Sequence, residues 1–353
     1  MKTWEKYIRR VEPYTPGEQP KTAGVIKLNT NENPYSASPK VIEAVNDFDT
    51  DKLRLYPDPE AAVLVDAIAH RYGLSSDQVF VGVGSDDVIS MSFMTFFNSE
   101  LPVLFPDISY SFYEVWADVY NVKYEKIPVD KDFNIVPEDY MKKNGGIIFP
   151  NPNAPTALYM GLDRVEDIIK ANQDSVVIVD EAYIDFGGKS AVGLIEKYDN
   201  LLVVQTYSKS RSMAGMRIGF AMGSAKLIKA MNDVKFSVNS YTMNATSLAF
   251  GVASMNDEEY FKECTDKIIA TRTRSMEELA NLGFTFPDSK ANFIFASHRT
   301  VPASEIFTEL KKRNIYVRYF NKPRIDNYLR ITVGTDEQMD KLFEALKQII
   351  GDR

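Results

Sequence analysis

The sequence of 353 residues has little of what builds covalent cross-links and metal centres. Its one cysteine, Cys264, excludes an intramolecular disulfide. The acidic neighbours of that cysteine, Glu263 and Asp266, are expected to raise the pKa of its thiol, so an inert cysteine is predicted. The two histidines, His70 and His298, stand at no metal-ligand spacing with the cysteine or with each other, and no metal site is predicted.

Positive charge and long apolar runs are also scarce. Lys and Arg total 41 against 49 Asp and Glu, a net charge of -8, which argues against the broad basic surface that nucleic-acid binding requires. The first ten residues are charged throughout and lack the apolar stretch of a signal peptide. No run elsewhere approaches the length of a membrane-spanning helix. We therefore expect a cytoplasmic protein with neither nucleic-acid nor membrane partners.

The residues that are present indicate a globular protein with a large core. Hydrophobic residues make up 44% and charged residues 25%, as in soluble domains, and the length favours one large domain with a smaller one. Strand-like apolar runs alternate with segments of helical periodicity. The runs are Val79–Val81, Gly146–Phe149, Val176–Val179, Leu201–Val204 and Ile218–Met222, and the helical segments are Ala61–Tyr72, Asp87–Phe97, Leu162–Ala171 and Ala225–Val234. Strands that are apolar on both faces predict an α/β fold, with a mostly parallel sheet covered by helices on both sides.

The pattern changes after Ser240, where a helical stretch runs to about Leu282 with a break near Asn256 and Asp257. A smaller α+β domain is predicted to follow, and the proline-bearing segment up to about Lys27 is predicted to be an extended arm. The predicted strands of the smaller domain are Asn292–Phe295, Ile315–Arg318 and Tyr328–Val333, and its helices are Ser304–Lys312 and Glu337–Ile350. We divide the chain into an arm that joins the small domain (1–28), a large domain (29–265) and a small domain (266–353).

Two charged residues follow neighbouring strand-like runs. Asp180 comes directly after Val176–Val179, and Lys209 closes a polar segment after Leu201–Val204. Open α/β sheets bind their ligands at the carboxyl ends of their strands. Pyridoxal phosphate needs an amine to form an imine with its aldehyde and an acid to keep its pyridine nitrogen protonated. An exposed lysine and a turn aspartate are the competing interpretations of each residue alone, but together they predict a pyridoxal-phosphate site.

Neighbouring residues provide for a phosphate group. The hydroxyls of Thr206 and Ser208 and the guanidinium of Arg217 flank Lys209 in the sequence. The segment around Ser85 and Asp86 leads from a strand into a helix, where free backbone N–H groups bind anions. The segment has neither a dinucleotide-binding spacing nor the lysine of a P-loop, so NAD and ATP are poorly supported.

Further candidates concern the cofactor ring and the substrate. Tyr183 and Asn153 are candidates to hydrogen-bond the phenolic oxygen of the cofactor, and Tyr110 to stack on its ring. A turn is the competing explanation for Asn153, and chance placement among 19 tyrosines the one for Tyr110. Arg330 lies inside an apolar strand pattern and Arg318 in a second one. A buried guanidinium needs an anionic partner, which a substrate carboxylate or phosphate supplies, although a surface salt bridge also explains Arg318.

Over nearly its whole length the chain resembles the class I/II aminotransferases of the aspartate aminotransferase fold. The motifs that carry the resemblance are Leu28–Pro34, Tyr56–Pro59, Gly84–Asp87, Asn151–Thr156, Asp180–Tyr183, Ser208–Gly219 and Leu329–Gly334. The resemblance implies a seven-stranded, mostly parallel sheet and a homodimer with shared active sites. Lys209 is implied to be the Schiff-base lysine and proton shuttle, Asp180 the pyridinium partner, Asn153 and Tyr183 the phenolate contacts and Tyr110 the stacking ring. Ser85, Asp86, Thr206, Ser208 and Arg217 are implied to surround the phosphate, with Tyr56 reaching the cofactor phosphate of the neighbouring subunit. Arg330 and Arg318 are implied to bind the anionic ends of the substrates, and Tyr14 of the arm to close over the site.

Within the family the resemblance is closest to members that transfer the amino group of L-histidinol phosphate to 2-oxoglutarate. The chain departs from the family pattern at Ser210–Met213, next to Lys209. Aromatic amino-acid aminotransferases and threonine-phosphate decarboxylases share the same cofactor residues, so both remain alternatives. A third alternative, from another class, is a ligand-sensing protein that keeps the cofactor without turnover.

Overall fold

The computed structural model describes residues 2–20 and 24–351, so residues 1 and 21–23 of the predicted arm and residues 352 and 353 of the predicted small domain lie outside the described residues. Its strands are β1 (Ile26–Leu28), β2 (Val79–Gly82), β3 (Val103–Pro106), β4 (Tyr124–Ile127), β5 (Gly146–Pro150), β6 (Val177–Asp180), β7 (Leu201–Thr206), β8 (Gly219–Gly223), β9 (Phe284–Thr285), β10 (Phe293–His298), β11 (Ile315–Tyr319) and β12 (Leu329–Thr332). Its α-helices are α1 (Pro39–Asn46), α2 (Ala62–Tyr72), α3 (Ser85–Phe96), α4 (Phe112–Tyr120), α5 (Leu162–Ala171), α6 (Ala225–Val238), α7 (Ala245–Met255), α8 (Glu258–Asn281), α9 (Ala303–Lys312) and α10 (Asp336–Gly351).

The larger sheet has seven strands in the order β2-β8-β7-β6-β5-β3-β4. Only β8 runs antiparallel to its neighbours, so the sheet is mostly parallel, as the sequence predicts. Successive residues of a strand point to opposite faces: Ile147 and Phe149 of β5 belong to one core, whereas Ile148 belongs to the other. Burial on both faces explains why these strands read as uninterrupted apolar runs.

Helices cover both faces of this sheet. Residues of α1, α2, α5 and α7 contribute to the core on one face, and residues of α3, α4 and α6 to the core on the other. The predicted arrangement of a parallel sheet between two helical layers is thereby confirmed, and it leaves the strand ends as the open edge at which a ligand can bind.

The smaller sheet has five strands in the order β1-β11-β12-β10-β9. Strand β1 lies parallel to β11 and so attaches the N-terminal segment to the C-terminal part of the chain. Helices α9 and α10 share the core of this sheet with Ile268 and Leu279 of α8. The predicted boundary after residue 265 therefore falls inside α8, and the division into domains stays a prediction.

Two strands and a helix of the larger unit escape local pattern analysis. Strand β3 is four residues long and ends in Pro106, and β4 is an edge strand with exposed Glu125 and Lys126. Helix α4, which lies between them, is nine residues long. Length is not the reason, since the predicted strands β2 and β6 are also four residues long. Pro102 and Pro106 bracket the β3 run, and the two charged residues interrupt the apolar pattern of β4. No helix in the described part of the chain combines the length and apolar character needed to cross a membrane.

Candidate active site

Three strands of the larger sheet bring their polar ends to one edge. Asp180 is the last residue of β6, which pairs in parallel with β5 on one side and β7 on the other. Lys209 is the third residue beyond the end of β7, and Asn153 the third beyond the end of β5. The fold thus places these three predicted residues at the same sheet edge, at the carboxyl ends of parallel strands.

Asp180 is a buried carboxylate that is held by hydrogen bonds. The residue is only 5% exposed. Its carboxylate accepts hydrogen bonds from the Tyr113 hydroxyl at 2.7 Å and from the Ala182 amide at 3.2 Å. Burial raises the pKa of Asp180 to about 6, while the two hydrogen bonds act in the opposite direction. No lysine or arginine of residues 2–20 and 24–351 forms an ion pair with it. A protonated pyridine nitrogen would therefore be a suitable positive partner for the Asp180 carboxylate.

The Lys209 side chain lies next to the segment between β1 and α1 and near Tyr183, which follows β6. Its Nζ donates to the Thr30 carbonyl at 3.1 Å and lies 5.9 Å from the centre of the Tyr183 ring. The Tyr183 hydroxyl in turn accepts from Asn31 Nδ2 at 3.0 Å. Asn33 Nδ2 donates to the Lys209 carbonyl at 3.0 Å, so this segment holds both the lysine and the tyrosine.

Glycines allow the predicted phosphate-binding residues to come together. Gly219 of β8 lies opposite Thr206, and a Cβ on Gly219 would stand 2.2 Å from the Ser85 amide nitrogen. A Cβ on Gly84, where φ is +86°, would stand 2.4 Å from Arg217 Nη2. At Gly219 the close atoms are backbone atoms, which excludes a side chain, whereas at Gly84 the positive φ disfavours one. The N-terminus of α3 therefore lies directly against the ends of β7 and β8, as a phosphate site requires.

Side chains at this end of the site are linked to one another. Thr206 Oγ1 lies 3.0 Å from the Ser208 hydroxyl, to which it donates. Asp86 accepts from Arg217 Nη2 at 3.2 Å and from the Tyr110 hydroxyl at 2.7 Å. The Asp86 side chain thus orients both Arg217 and Tyr110, a role that sequence analysis did not foresee. Stacking of Tyr110 on the cofactor ring stays a prediction.

Asn153 is 1% exposed, and its amide hydrogens are already engaged. Nδ2 donates to the Ile108 carbonyl at 3.0 Å and to Thr156 Oγ1 at 3.1 Å, whereas Oδ1 has no hydrogen-bond partner. The free atom of this amide is therefore an acceptor. Donation from Asn153 to the phenolic oxygen stays a prediction, since it requires one of the present hydrogen bonds to be exchanged.

Arg318 and Arg330 lie directly opposite each other on β11 and β12. Neither forms an ion pair within the described residues. Arg330 Nη2 donates to the Asn29 carbonyl at 3.0 Å, its Nε is buried without a partner, and burial lowers the pKa of this guanidinium. The Phe293 ring connects Arg330 to the cofactor side of the site, because its centre lies 5.3 Å from the guanidinium and 5.0 Å from the Tyr183 ring. Two adjacent cations without carboxylate partners suit an anionic group of a substrate.

Two predicted residues lie at the periphery. The Tyr14 ring of the arm stacks on Phe112, with ring centroids 4.2 Å apart. Tyr56 is 83% exposed and contacts the Tyr241 ring at 4.8 Å. Among the described residues no hydrogen bond or ring contact links Tyr56 to Lys209 or Asp180. Its position on the surface agrees with a role toward a second subunit, which stays a prediction.

Tyr113 and Asn31 are site residues that sequence analysis missed. Tyr113 is the second residue of α4, whereas Tyr110 precedes the helix, so a helical spacing does not relate the two tyrosines. Asn31 lies in the motif Leu28–Pro34, but local sequence gives no indication that it reaches Tyr183. Local sequence therefore gave no signal for the contact of either residue.

The unpaired polar atoms of the protein test whether a polar ligand fits here. Seven buried side-chain nitrogen or oxygen atoms lack a hydrogen-bond partner in the described part of the chain. Asn292 also belongs to this site, because its Nδ2 donates to the Asn31 carbonyl at 3.0 Å. Five of the seven atoms belong to residues of the site: Asn29 Oδ1, Thr30 Oγ1, Asn153 Oδ1, Asn292 Oδ1 and Arg330 Nε. Buried polar groups are normally paired, so this cluster indicates a site for a bound polar molecule. Together with Asp180 and the glycine-lined anion site, the residues fit pyridoxal phosphate.

Comparison with known proteins identifies the family. The model of the family described as "Aminotransferase class I and II" matches residues 23–346. The chain belongs to this family. It is 53% identical over 349 residues to a histidinol-phosphate aminotransferase of Clostridium acetobutylicum, with 99% of each chain covered. It is also 52% identical over 352 residues to histidinol-phosphate aminotransferase 2 of Dechloromonas aromatica, again with 99% of each covered.

A solved structure shares the fold. The histidinol-phosphate aminotransferase of Sinorhizobium meliloti, in complex with pyridoxal-5'-phosphate, superposes with a TM-score of 0.85 at 23% identity, over 93% of this chain and 91% of that one. This likeness confirms the predicted fold. The family match confirms the prediction of a pyridoxal-phosphate-dependent aminotransferase. A sensing protein without turnover was the less favoured alternative, and the family match supports an enzyme instead.

Proposed function

We propose that this aminotransferase transfers the amino group of L-histidinol phosphate to 2-oxoglutarate, yielding imidazole acetol phosphate and L-glutamate. The two relatives named above are called histidinol-phosphate aminotransferases, and each matches 99% of this chain. The structural observation that supports it is the pair Arg318 and Arg330, two adjacent guanidinium groups without carboxylate partners among the described residues. Both the phosphate of the donor and a carboxylate of the acceptor match this pair.

The proposed cofactor residues divide the work by position. When bound, pyridoxal phosphate supplies the aldehyde that takes up the amino group and the ring that accepts the electrons released with the α-proton. Asp180, buried and held by Tyr113, keeps the ring nitrogen protonated, because its charge is weakly screened away from water. Ser85, Ser208 and Arg217 bind the phosphate at the glycine-lined end of the site.

Lys209 has two proposed tasks at one atom. With the cofactor bound, Nζ would hold its aldehyde carbon covalently, with loss of water, and once displaced by the substrate amine it would accept and return the substrate proton. The carbonyl of Thr30, at 3.1 Å, is the acceptor that holds the amine in the site before attachment. Tyr183, positioned by Asn31, presents its hydroxyl beside the lysine. Tyr14 of the arm is proposed to exclude water by closing over the site.

A comparison of amino donors tests the choice of substrate. With 2-oxoglutarate as acceptor, kcat/KM for histidinol phosphate is expected to exceed that for phenylalanine or tyrosine by about 100-fold, since charge-assisted hydrogen bonds to a phosphate contribute roughly 1.5–3 kcal/mol each. A preference for the aromatic donors would overturn the assignment. Release of carbon dioxide from a phosphorylated amino acid, without consumption of the oxo acid, would instead identify a decarboxylase.

The chain is further proposed to act as a cytoplasmic homodimer. Tyr56 lies in an apolar surface with Leu53 and Leu55, which are 59% and 54% exposed, and with Tyr241, which is 47% exposed. Contiguous exposed apolar groups of this kind mark interaction surfaces. If Tyr56 acts in the neighbouring site, neither Lys209→Ala nor Tyr56→Ala is active alone, but a mixed dimer contains one intact site.

Mixing the two variants tests this arrangement. Random exchange of subunits is expected to restore about a quarter of wild-type activity, because half of the dimers are mixed and each has one intact site of two. Sedimentation should show a dimer before and after exchange. A monomer, or a mixture without activity, would contradict the shared site.

A further inference from the structure

Ser210 follows Lys209 directly and begins the segment that departs from the family pattern. It is 3% exposed, and its hydroxyl donates to Asp185 Oδ2 at 2.5 Å. Asp185 lies two residues after Tyr183, in the segment that follows strand β6 and its last residue, Asp180. One hydrogen bond therefore joins the loop that carries Lys209 to the loop that carries Tyr183.

This hydrogen bond matters to Asp185. Burial raises the pKa of this carboxyl, and the hydrogen bond from Ser210 and the nearby Arg211 counteract that shift. The Ser210 hydroxyl is the one side-chain or backbone donor that hydrogen-bonds the Asp185 carboxylate within residues 2–20 and 24–351. Removal of the hydroxyl would leave a partly buried carboxylate without a donor, which is costly enough to displace the loop.

The neighbouring residues hold the rest of the Lys209 loop. Arg211 Nη1 donates to the Ser254 carbonyl of α7 at 2.8 Å, and its guanidinium lies 4.3 Å from the Phe261 ring of α8. Asn33 Nδ2, from the segment between β1 and α1, donates to the Lys209 carbonyl. The segment that departs from the family pattern is therefore attached to α7 and α8 through Arg211, and to the segment between β1 and α1 through Asn33.

A catalytic lysine needs such support because its amine sits on a flexible four-carbon stem. Catalytic groups must be positioned to within about 0.5 Å, and a rigid main chain limits the displacement of a long side chain. We propose that Ser210 and Asp185 are a positioning pair, which holds the main chain of Lys209 in place relative to Tyr183. The inference rests on the proposed function, because it concerns the placement of Lys209 toward the cofactor.

Ser210→Ala tests the pair with two readouts. We expect kcat to fall about tenfold while KM for the donor changes less than about twofold, because geometry at the lysine is lost and substrate contacts remain. We also expect cyanoborohydride to attach pyridoxal phosphate to Lys209 at least about threefold more slowly, without any substrate present. Ser210→Thr, which retains the hydroxyl, should restore both quantities to within about twofold.

A double-mutant cycle and a matched control separate positioning from general damage. Asp185→Ala should reproduce the defect of Ser210→Ala, and the double variant should be no worse than either. Ser76→Ala removes the same type of bond, a 2.5 Å contact with Asp66 on the exposed surface, and should change neither readout. If Ser210→Ala does not fold, Asp185→Asn, which keeps the shape of the side chain, takes its place and should show a smaller loss in both quantities.

The outcomes distinguish this inference from the proposed function. If the wild-type protein binds pyridoxal phosphate on Lys209 and Ser210→Ala matches it in kcat and attachment rate, the pair is not a positioning device. Fully additive losses in the double variant would overturn it as well. If the wild-type protein neither attaches the cofactor nor turns over histidinol phosphate, the proposed function fails and the inference fails with it.

Discussion

Replacement of Tyr113 by phenylalanine tests how the protein keeps Asp180 ionised. The Tyr113 hydroxyl lies 2.7 Å from Asp180 Oδ2, and both residues are buried. A hydrogen bond to a charged acceptor contributes about 1.5–3 kcal/mol, compared with about 1 kcal/mol between neutral groups. Loss of the bond therefore costs more when Asp180 is ionised than when it is protonated, and the cost should depend on pH.

The direction of that dependence follows from the pKa of Asp180. Burial raises it from 3.8 to about 6, so the folded protein binds this proton more tightly than the unfolded chain does. In the cofactor-free protein the stability due to this proton is fully present below about pH 4 and is lost as the pH rises through about 6. Tyr113→Phe removes a donor from the ionised form, which raises the pKa further and enlarges this loss. We expect the variant to lose about 1 kcal/mol at roughly pH 5 and about 2–3 kcal/mol at roughly pH 8.

Urea unfolding of the cofactor-free protein at these two pH values is the assay. Tyr207→Phe is the matched control, because its hydroxyl is also buried but has no hydrogen-bond partner. The control should lose no stability at either pH, since an unpaired buried hydroxyl contributes nothing favourable. Equal losses for Tyr113→Phe at both pH values, or a loss at the higher pH as small as that of the control, would refute the reasoning.

Three further variants test the site. Lys209→Ala should abolish turnover and leave the urea midpoint of unfolding unchanged. Retained activity would disprove the proposed role of the lysine. Gly219→Ala should weaken pyridoxal-phosphate binding at least about tenfold in a fluorescence titration, because its Cβ would meet the α3 N-terminus at 2.2 Å, whereas Gly193→Ala enters open space and should bind normally. Arg330→Gln should raise KM for histidinol phosphate about tenfold or more without changing cofactor affinity, and an unchanged KM would remove the arginine from the substrate site.

Local sequence was informative where a strand is buried on both faces. The runs that became β6 and β7 are continuously apolar because helices cover both sides of the sheet, and a charged residue just after such a run must lie at the sheet edge. Asp180 and Lys209 were recognisable for that reason. Strands β3 and β4 were not, since Pro102 and Pro106 bracket the β3 run and β4 is a half-exposed edge strand.

Long-range contacts of the site were beyond any local pattern. Tyr113 and Asp180 are 67 residues apart, Asn31 and Tyr183 are 152 apart, and Lys209 and Thr30 are 179 apart. Whether such pairs meet depends on strand order and on how the N-terminal segment crosses the sheet edge. The resemblance to a family indicated which residues matter, but it did not indicate these partners.

The amino-acid sequence alone determined the fold class, the family and the two charged residues on which the cofactor chemistry depends, because apolar periodicity and short motifs are local properties. Only the tertiary structure decided that Asp180 is held by Tyr113, that Arg318 and Arg330 stand side by side, and that Ser210 is tied to Asp185. These contacts join segments that are distant in the chain, and they exist because parallel strands and cross-strand register bring those segments to one place.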